Sequence, residues 1–495
     1  MENMLLLTVI LLPLLLTACV IILSRRPRAR NAITLIVSIL VTLLVFFICD
    51  RFGGSAAERI SLFQLLPGID LAFRIDSAGL LLAAVSSFLW PITNIYSIGY
   101  LEESGSAGST RYFACFSLSI FATLGVAFAA NLVTLYIFYE LLSLATFPLV
   151  GHRKHIDSQK ACRVYTGYLL GSSLLLLLPA IVLTYIFAGS VDFSPGGILK
   201  GTASGPVLVL LLLMFMFGVA KGALMPLHVW LPSAMVAPTP VSALLHAVAV
   251  VKVGVFSQFR ILSSIFGFTL LKSISLAGFS GQQILIVLTV ITMVAADILA
   301  LSQNVIKRIL AYSTIGQLAY ITLAFSVAAP YSVAAGLMHI AFHAFGKITL
   351  FLCAGAIFIA CGAKQVNEIR GIAWKMPVTM SCFAVGALSI VGLPPASGFI
   401  SKWYLLLGAF SHGFHFVFYA VIISTVLKAF YLLRILVIAC SREHTDCVER
   451  ACEQGRIVLC VAPVAITAIL VVVTFFFSEM FFELAKLAVS QIQGL

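Results

Sequence analysis

The sequence predicts an all-α polytopic membrane protein, and three observations carry that prediction. Of its 495 residues, 61% are hydrophobic and only 10% are charged, more apolar surface than soluble domains of this length can hide. A bilayer-crossing helix needs about 20 mostly apolar residues, and runs of that order recur at 4–23, 32–49, 78–100, 112–131, 132–150, 165–188, 206–231, 240–262, 283–301, 309–328, 332–360, 377–409, 415–439 and 457–478. The runs are continuous and Leu-rich, whereas membrane barrel strands alternate over about 10 residues, so a transmembrane β-barrel is excluded. Fourteen transmembrane helices are therefore expected.

The first run carries Glu2 as its only leading charge, and Arg25 and Arg26 follow it. That order suits a stop-transfer helix, although Leu16-Thr17-Ala18-Cys19 has the look of a lipoprotein cleavage site. Two later runs are interrupted. Pro226 lies in the seventh, with Pro232, Pro238 and Pro240 directly after it, and Gly392-Leu393-Pro394-Pro395 cuts the twelfth. Proline lacks the amide donor, so each site frees backbone carbonyls inside an apolar segment.

The formal charge of +12 reads as an orientation signal here rather than as a nucleic-acid surface. Of the 30 basic residues, seventeen fall in loops after odd-numbered spans and six on the opposite side. The positive-inside rule then puts both termini outside the cytoplasm, in a multi-pass protein of the cell inner (plasma) membrane. The eleven cysteines form no CxxC pair, and Gly346-Lys347-Ile348-Thr349 lacks the upstream glycine of a phosphate loop. No cofactor and no metal are expected in this chain.

Seven basic residues remain inside the spans. Arg260, Arg434 and Lys428 sit toward helix ends, where snorkelling to the interface accounts for them. Lys221, Lys252, Lys347 and Lys402 lie deeper, at a cost of about 2.5–3.5 kcal/mol each on insertion scales. Glu140 is the single carboxylate in its span. Lys221 precedes the first break and Lys402 follows the second, which is the sequence mark of an inverted-repeat transporter with midplane sites. Capping of the freed carbonyls is the structural alternative for both lysines.

His339, His343 and Lys347 recur at i, i+4 and i+8 and share one helix face. His246 stands nearly two turns before Lys252. A metal site is the rival reading, but Ile340 replaces the glutamate of HExxH, and no carboxylate or thiol completes a shell. A proton relay suits the row better, since histidine titrates near neutrality. Burial disfavours a charged amine and a neighbouring carboxylate favours it, so approach or withdrawal of Glu140 would load or unload Lys221.

These residues also carry a resemblance. The segment Tyr139-Glu140-Leu141-Leu142-Ser143 through Val150, the stretch around Lys221 through Pro240, Lys307-Arg308-Ile309-Leu310-Ala311-Tyr312 through Leu318, and Gly398-Phe399-Ile400-Ser401-Lys402-Trp403 together resemble the proton-conducting antiporter-like subunits. Those are shared by Mrp sodium/proton antiporters, respiratory complex I and related membrane-bound hydrogenases. The similarity runs from about Phe73 to Leu433. It implies about 14 helices with an inverted repeat of two five-helix units and broken helices 7 and 12. The corresponding division is 1–110, 111–265, 266–440 and 441–495.

The resemblance further implies a role for each residue: Glu140 the acidic partner, Lys221 the central lysine, Lys252 the connecting one, His339, His343 and Lys347 the bridging stripe, and Lys402 the exit. Asn304 departs from the pattern, because relatives often carry an acid there. The short tail after the last span favours a subunit like Mrp D or its hydrogenase and complex I counterparts. The expected function is thus proton translocation in a multisubunit Mrp-type cation (Na+)/proton antiporter. The alternative is the proton-pumping arm of a complex I-related redox enzyme, an NADH:quinone oxidoreductase or a membrane-bound hydrogenase or formate hydrogenlyase. Either implies other integral membrane subunits, protons and the lipid bilayer as partners, sodium for the first, and no nucleic acid.

Overall fold

The computed structural model describes residues 2–52, 59–103, 108–151, 156–442, 448 and 458–492. Arg153, Lys154, Arg450 and Arg456, four of the seventeen loop residues counted above, and Cys447 and Cys452, two of the eleven cysteines, lie outside the described residues. The chain is a multi-pass helical bundle. Its helices are α1 (Glu2–Ile22), α2 (Pro27–Phe52), α3 (Ser77–Glu103), α4 (Ser109–Ala127), α5 (Leu132–Val150), α6 (Ile156–Ala188), α7 (Gly205–Gly218), α8 (Thr239–Phe266), α9 (Gly281–Leu301), α10 (Ile306–Ser326), α11 (Pro330–Cys361), α12 (Pro377–Val391), α13 (Gly398–Ser411), α14 (His415–Ala439), α15 (Val458–Phe476) and α16 (Ser478–Ser490).

Twelve of these are long and apolar enough to cross a membrane, and α7 and α12 are shorter apolar helices. The two short ones are the helices that the prolines interrupt. After α7 the chain makes a single tight turn over Ala220–Gly222, places Ala223 at φ 54°, and resumes helix only at Trp230–Ser233. After α12, Gly392 takes φ 81° and α13 restarts at Gly398. With α12 and α13 sharing one position, the breaks fall at the seventh and twelfth of fourteen positions. Each is the fourth position in a run of five, α4–α8 and α9–α14.

Apolar contact alone cannot fix helix positions in lipid, so small residues and hydrogen bonds do that work. α8 and α11 form the centre: every residue of Val250–Arg260 is buried, as is Ser332–Ile357. α8 is widened by π-helical turns at Leu244–Val248 and Ile261–Phe266. The Val248 carbonyl at the first of these accepts a 2.9 Å bond from Ser86 Oγ on α3. The turn brackets His246 and is followed within one turn by Lys252, in keeping with the occurrence of such turns at functional sites.

Several features depart from the expectations. α6 begins at Ile156 rather than near 165, so Lys160 and Arg163 lie on its first turns. A hairpin pairs β1 (Ile60–Leu66) with β2 (Ile69–Phe73). α16 packs back on the bundle, with Phe482 stacked on Tyr404 at 4.5 Å and Phe481 edge-on to Phe342 at 5.2 Å. Two of the three residues assigned to snorkelling do not snorkel. Arg260 is 5% exposed and Lys428 1% exposed, because each has a buried carboxylate to pair with: Asp76 at 2.6 Å for Arg260, and Asp297 at 2.8 Å for Lys428. Arg434 is half-buried near the end of α14 and donates to the amide oxygen of Asn304 at 2.7 Å.

Candidate functional site

The polar residues of the bundle form a row that begins at the first break. Lys221 is fully buried in the turn after α7. Its Nζ donates to the Tyr139 carbonyl at 2.7 Å and to Ser143 Oγ at 2.6 Å, and lies 3.2 Å from the centre of the Tyr139 ring. Its own backbone amide donates to Tyr139 Oη at 3.2 Å. Trp230 Nε1 donates to the Ala220 carbonyl at 3.0 Å, so the carbonyl exposed by the break is capped by a tryptophan and the lysine is left to face α5. Glu140, on that same helix, lies within Coulombic range of Lys221. Neither of its carboxylate oxygens has a hydrogen-bond partner among the described residues.

Gly254 joins Lys221 to α8. A methyl group there would lie 2.3 Å from the Lys221 carbonyl carbon, so only glycine lets the helix carrying Lys252 approach the break this closely. Lys252 is fully buried and its Nζ stands 2.5 Å from His343 Nδ1 on α11. This bond crosses from the first run of five to the second. Among the described residues it leaves His343 Nε2 without a partner, and both ring nitrogens of His246 as well, with that ring 4.6 Å from Phe351.

From His343 the row continues along the helix face that the sequence spacing predicts. The His343 and His339 rings stack at 5.9 Å with 18° between planes. His339 Nε2 lies 2.6 Å from Gln317 Oε1, and Nδ1 lies 2.7 Å from Ser401 Oγ. Gln317 Nε2 donates to the Ile390 carbonyl at 3.1 Å, which fixes the amide orientation. An amide oxygen only accepts, so His339 carries its proton on Nε2, and in the neutral ring Nδ1 accepts from the serine.

Ile390 is in the last turn of α12, and its carbonyl also accepts from Lys402 Nζ at 3.2 Å. Lys402 donates in addition to the Val391 carbonyl at 2.5 Å and to Thr425 Oγ1 at 3.3 Å. It therefore caps carbonyls that the second break frees, as the structural alternative held, while standing at the end of the histidine row. Lys347 turns aside. Its Nζ donates to the Leu310 carbonyl on α10 at 3.2 Å and touches neither histidine through a hydrogen bond given by the geometry.

Residues 129–428 match the family described as NADH:quinone oxidoreductase/Mrp antiporter, TM. The chain belongs to this family. Among curated members of the antiporter family, it is 34% identical over 390 residues to the NAD(P)H-quinone oxidoreductase chain 5 of Synechocystis, covering 74% of this chain and 54% of that one. It is 30% identical over 431 residues to the NADH-quinone oxidoreductase subunit L of Neisseria meningitidis serogroup A, covering 83% and 62%. With the NADH-quinone oxidoreductase subunit N of Desulforudis audaxviator, identity is 33% over 380 residues, covering 74% and 72%. The first two relatives are thus matched over little more than half of their length.

Two solved structures share the fold. A chain of the Mrp complex from Dietzia superposes with a TM-score of 0.84 at 20% identity, and a chain of the archaeal membrane-bound sulfane sulfur reductase with 0.85 at 24%. Each likeness covers 98% of this chain and 97% of the other.

One charged group of this family member was not singled out by the sequence as a site. Asp297 on α9 is fully buried and holds Lys428 on α14, with Ser424 donating at 2.5 Å and Tyr431 at 3.2 Å. The signal was present, since an aspartate inside an apolar run is as costly as a lysine. Among the described residues no group of three or more His, Cys, Asp or Glu side chains is placed to hold a metal ion.

Proposed function

We propose that the chain is a proton-translocating membrane subunit of a multisubunit complex. Glu140, Lys221, Lys252, His343, His339 and Lys402 form its proton relay, and Lys347 is a side branch that acts electrostatically on the stripe. The observation that carries this reading is the 2.5 Å approach of Lys252 Nζ to His343 Nδ1, which joins the lysines of one run to the histidines of the other. Both groups can hold or release a proton in the same hydrogen bond, and the residues that follow lead on to Lys402 through Gln317, Ser401 and the Ile390 carbonyl. A structural core of this size would not require two stacked histidines, one with an open ring nitrogen, between two buried lysines.

Proton loading begins at the first break. In the arrangement seen, Lys221 is turned toward a backbone carbonyl and a hydroxyl, and Glu140 is free to approach or withdraw. Closing that pair would favour the ammonium form of Lys221, and opening it would favour release toward Lys252. Neighbouring cations in the row repel one another, so occupancy at one site biases the next.

The division into 1–110, 111–265, 266–440 and 441–495 follows from this reading, as does placement in the cell inner membrane with both termini outside the cytoplasm. Membership of a redox enzyme of the complex I type is the assembly best supported, because the curated relatives quoted above are quinone oxidoreductase subunits. An Mrp-type cation/proton antiporter is the second reading, favoured by the likeness of fold to the Dietzia complex. Purification in mild detergent separates them: flavin or iron–sulfur partners support the first, and small hydrophobic partners alone support the second. The relay itself is tested by Lys252→Ala in sealed vesicles, where proton movement is expected to fall sharply; a wild-type rate would sink the assignment.

A further inference from the structure

A buried ion pair in the second run lies outside the relay just described. Asp297 Oδ2 accepts from Lys428 Nζ at 2.8 Å and from Ser424 Oγ at 2.5 Å, and Oδ1 accepts from Tyr431 Oη at 3.2 Å. The two charged side chains are 0% and 2% exposed. Lys428 and Ser424 are themselves hydrogen-bonded. The cluster abuts the relay in two places. Thr425, next to Ser424, accepts from Lys402. Gly316, next to Gln317, lies so close that a Cβ there would stand 3.0 Å from Asp297 Oδ1, and Gln317 bonds His339.

A buried pair is weak as a stabilising device, since well-packed apolar residues in its place are usually neutral or better. What it does supply is a fixed charge at a chosen depth. In the first run the carboxylate is open and the lysine bonds elsewhere; in the second the carboxylate is closed on a lysine. The titratable groups around Asp297 are Lys428 and Tyr431 on α14, Lys402 on α13 and Lys347 on α11, with His339 on α11 facing Lys428 and Lys402.

We propose that Asp297, held by Lys428, is the positioning carboxylate of the second run and governs whether Lys402 keeps its proton. While Lys428 holds Asp297, the negative charge is offset locally and Lys402 relies on the Ile390 and Val391 carbonyls and the Thr425 hydroxyl. When Lys428 lets go, the carboxylate supports the ammonium form of Lys402 across Ser424 and Thr425. This inference rests on the relay reading and assigns control of its exit.

The test uses the chain assembled with its native partner subunits in sealed vesicles, with proton flux driven by a potassium diffusion potential and recorded across pH. Asp297→Asn or Lys428→Met alone strands a buried charge and is expected to lower the amount of assembled complex. The double variant Asp297→Asn/Lys428→Met removes both charges. It is expected to assemble, yet to conduct about tenfold more slowly or worse, the effect of one pKa unit at Lys402. A double variant that conducts at the wild-type rate overturns the inference and leaves the pair a packing device.

Lys221→Ala, run in parallel, separates the two failures. If it also conducts normally, the relay itself is wrong; if it is blocked while the double variant is normal, only the role of Asp297 is lost. Should the double variant not assemble, Asp297→Glu keeps the charge and moves the carboxylate by one methylene. It is expected to shift the pH profile of conduction, and a profile superimposable on wild type overturns the inference.

Discussion

Glu140 and Lys221 are neighbours that do not touch through a hydrogen bond. The lysine bonds the Tyr139 carbonyl and Ser143, and both glutamate oxygens stand unpartnered. Glu140 is half-buried on α5, and on the relay proposed above this arrangement is the open state of the pair. Because Glu140 holds up nothing by hydrogen bonding, its removal separates function from folding.

Glu140→Gln is therefore expected to assemble to the wild-type level and to slow proton translocation by about 100-fold, the scale of a lost proton-transfer group. Co-purification yield and fluorescence quenching in sealed vesicles read the two quantities. A coupled fall in yield would return Glu140 to a structural role.

Lys252 and His343 act through one bond, so their effects should not add. Each alanine variant is expected to slow transport by about tenfold or more. The pair together should be little slower than either, with a coupling energy of about 0.5–3 kcal/mol in a double-mutant cycle. Additive losses would mean that the two residues serve separate steps.

Gly254→Ala tests the seating of the first break. The added methyl meets the Lys221 backbone at 2.3 Å, and backbone cannot rotate away as a side chain can. Overpacking of this kind costs about 1–3 kcal/mol, and thermal unfolding in detergent is expected to occur at lower temperature, with transport impaired as Lys221 shifts. An unchanged unfolding temperature would mean that α8 does not pack on the break.

Asp76 and Arg260 form a structural pair rather than a relay element. Burial opposes ionisation of Asp76, but Arg260 at 2.6 Å and Arg74 outweigh it and hold the carboxyl below its usual range. A depressed carboxyl contributes stability that is present above its unfolded value and is lost as pH falls through the folded one. Asp76→Asn leaves Arg260 uncompensated at a cost of about 3–5 kcal/mol. Loss of assembled protein is expected at every pH; normal assembly would show the pair to be dispensable.

The breaks were legible because prolines cluster there, from Pro226 to Pro240 and at Pro394-Pro395 after Gly392, whereas the lone Pro13, Pro91, Pro148 and Pro463 stay inside helices. The stripe of His339 and His343 was legible because i, i+4 spacing fixes a common face. The branch taken by Lys347 was not, since spacing fixes the face of α11 it shares but not that its Nζ turns to the Leu310 carbonyl on α10. Lys428 and Arg260 were misread for a related reason. A charge near the end of an apolar run snorkels or pairs according to what the next helix offers, and the partners Asp297 and Asp76 lie 131 and 184 residues away. In a bundle where most helices are apolar all round, periodicity does not say which face meets which neighbour.

The most direct test of the account is proton movement into sealed vesicles by the assembled complex carrying Lys221→Ala, with assembly verified by co-purification. The account predicts intact assembly and no proton translocation. Translocation at the wild-type rate by a correctly assembled complex would contradict it.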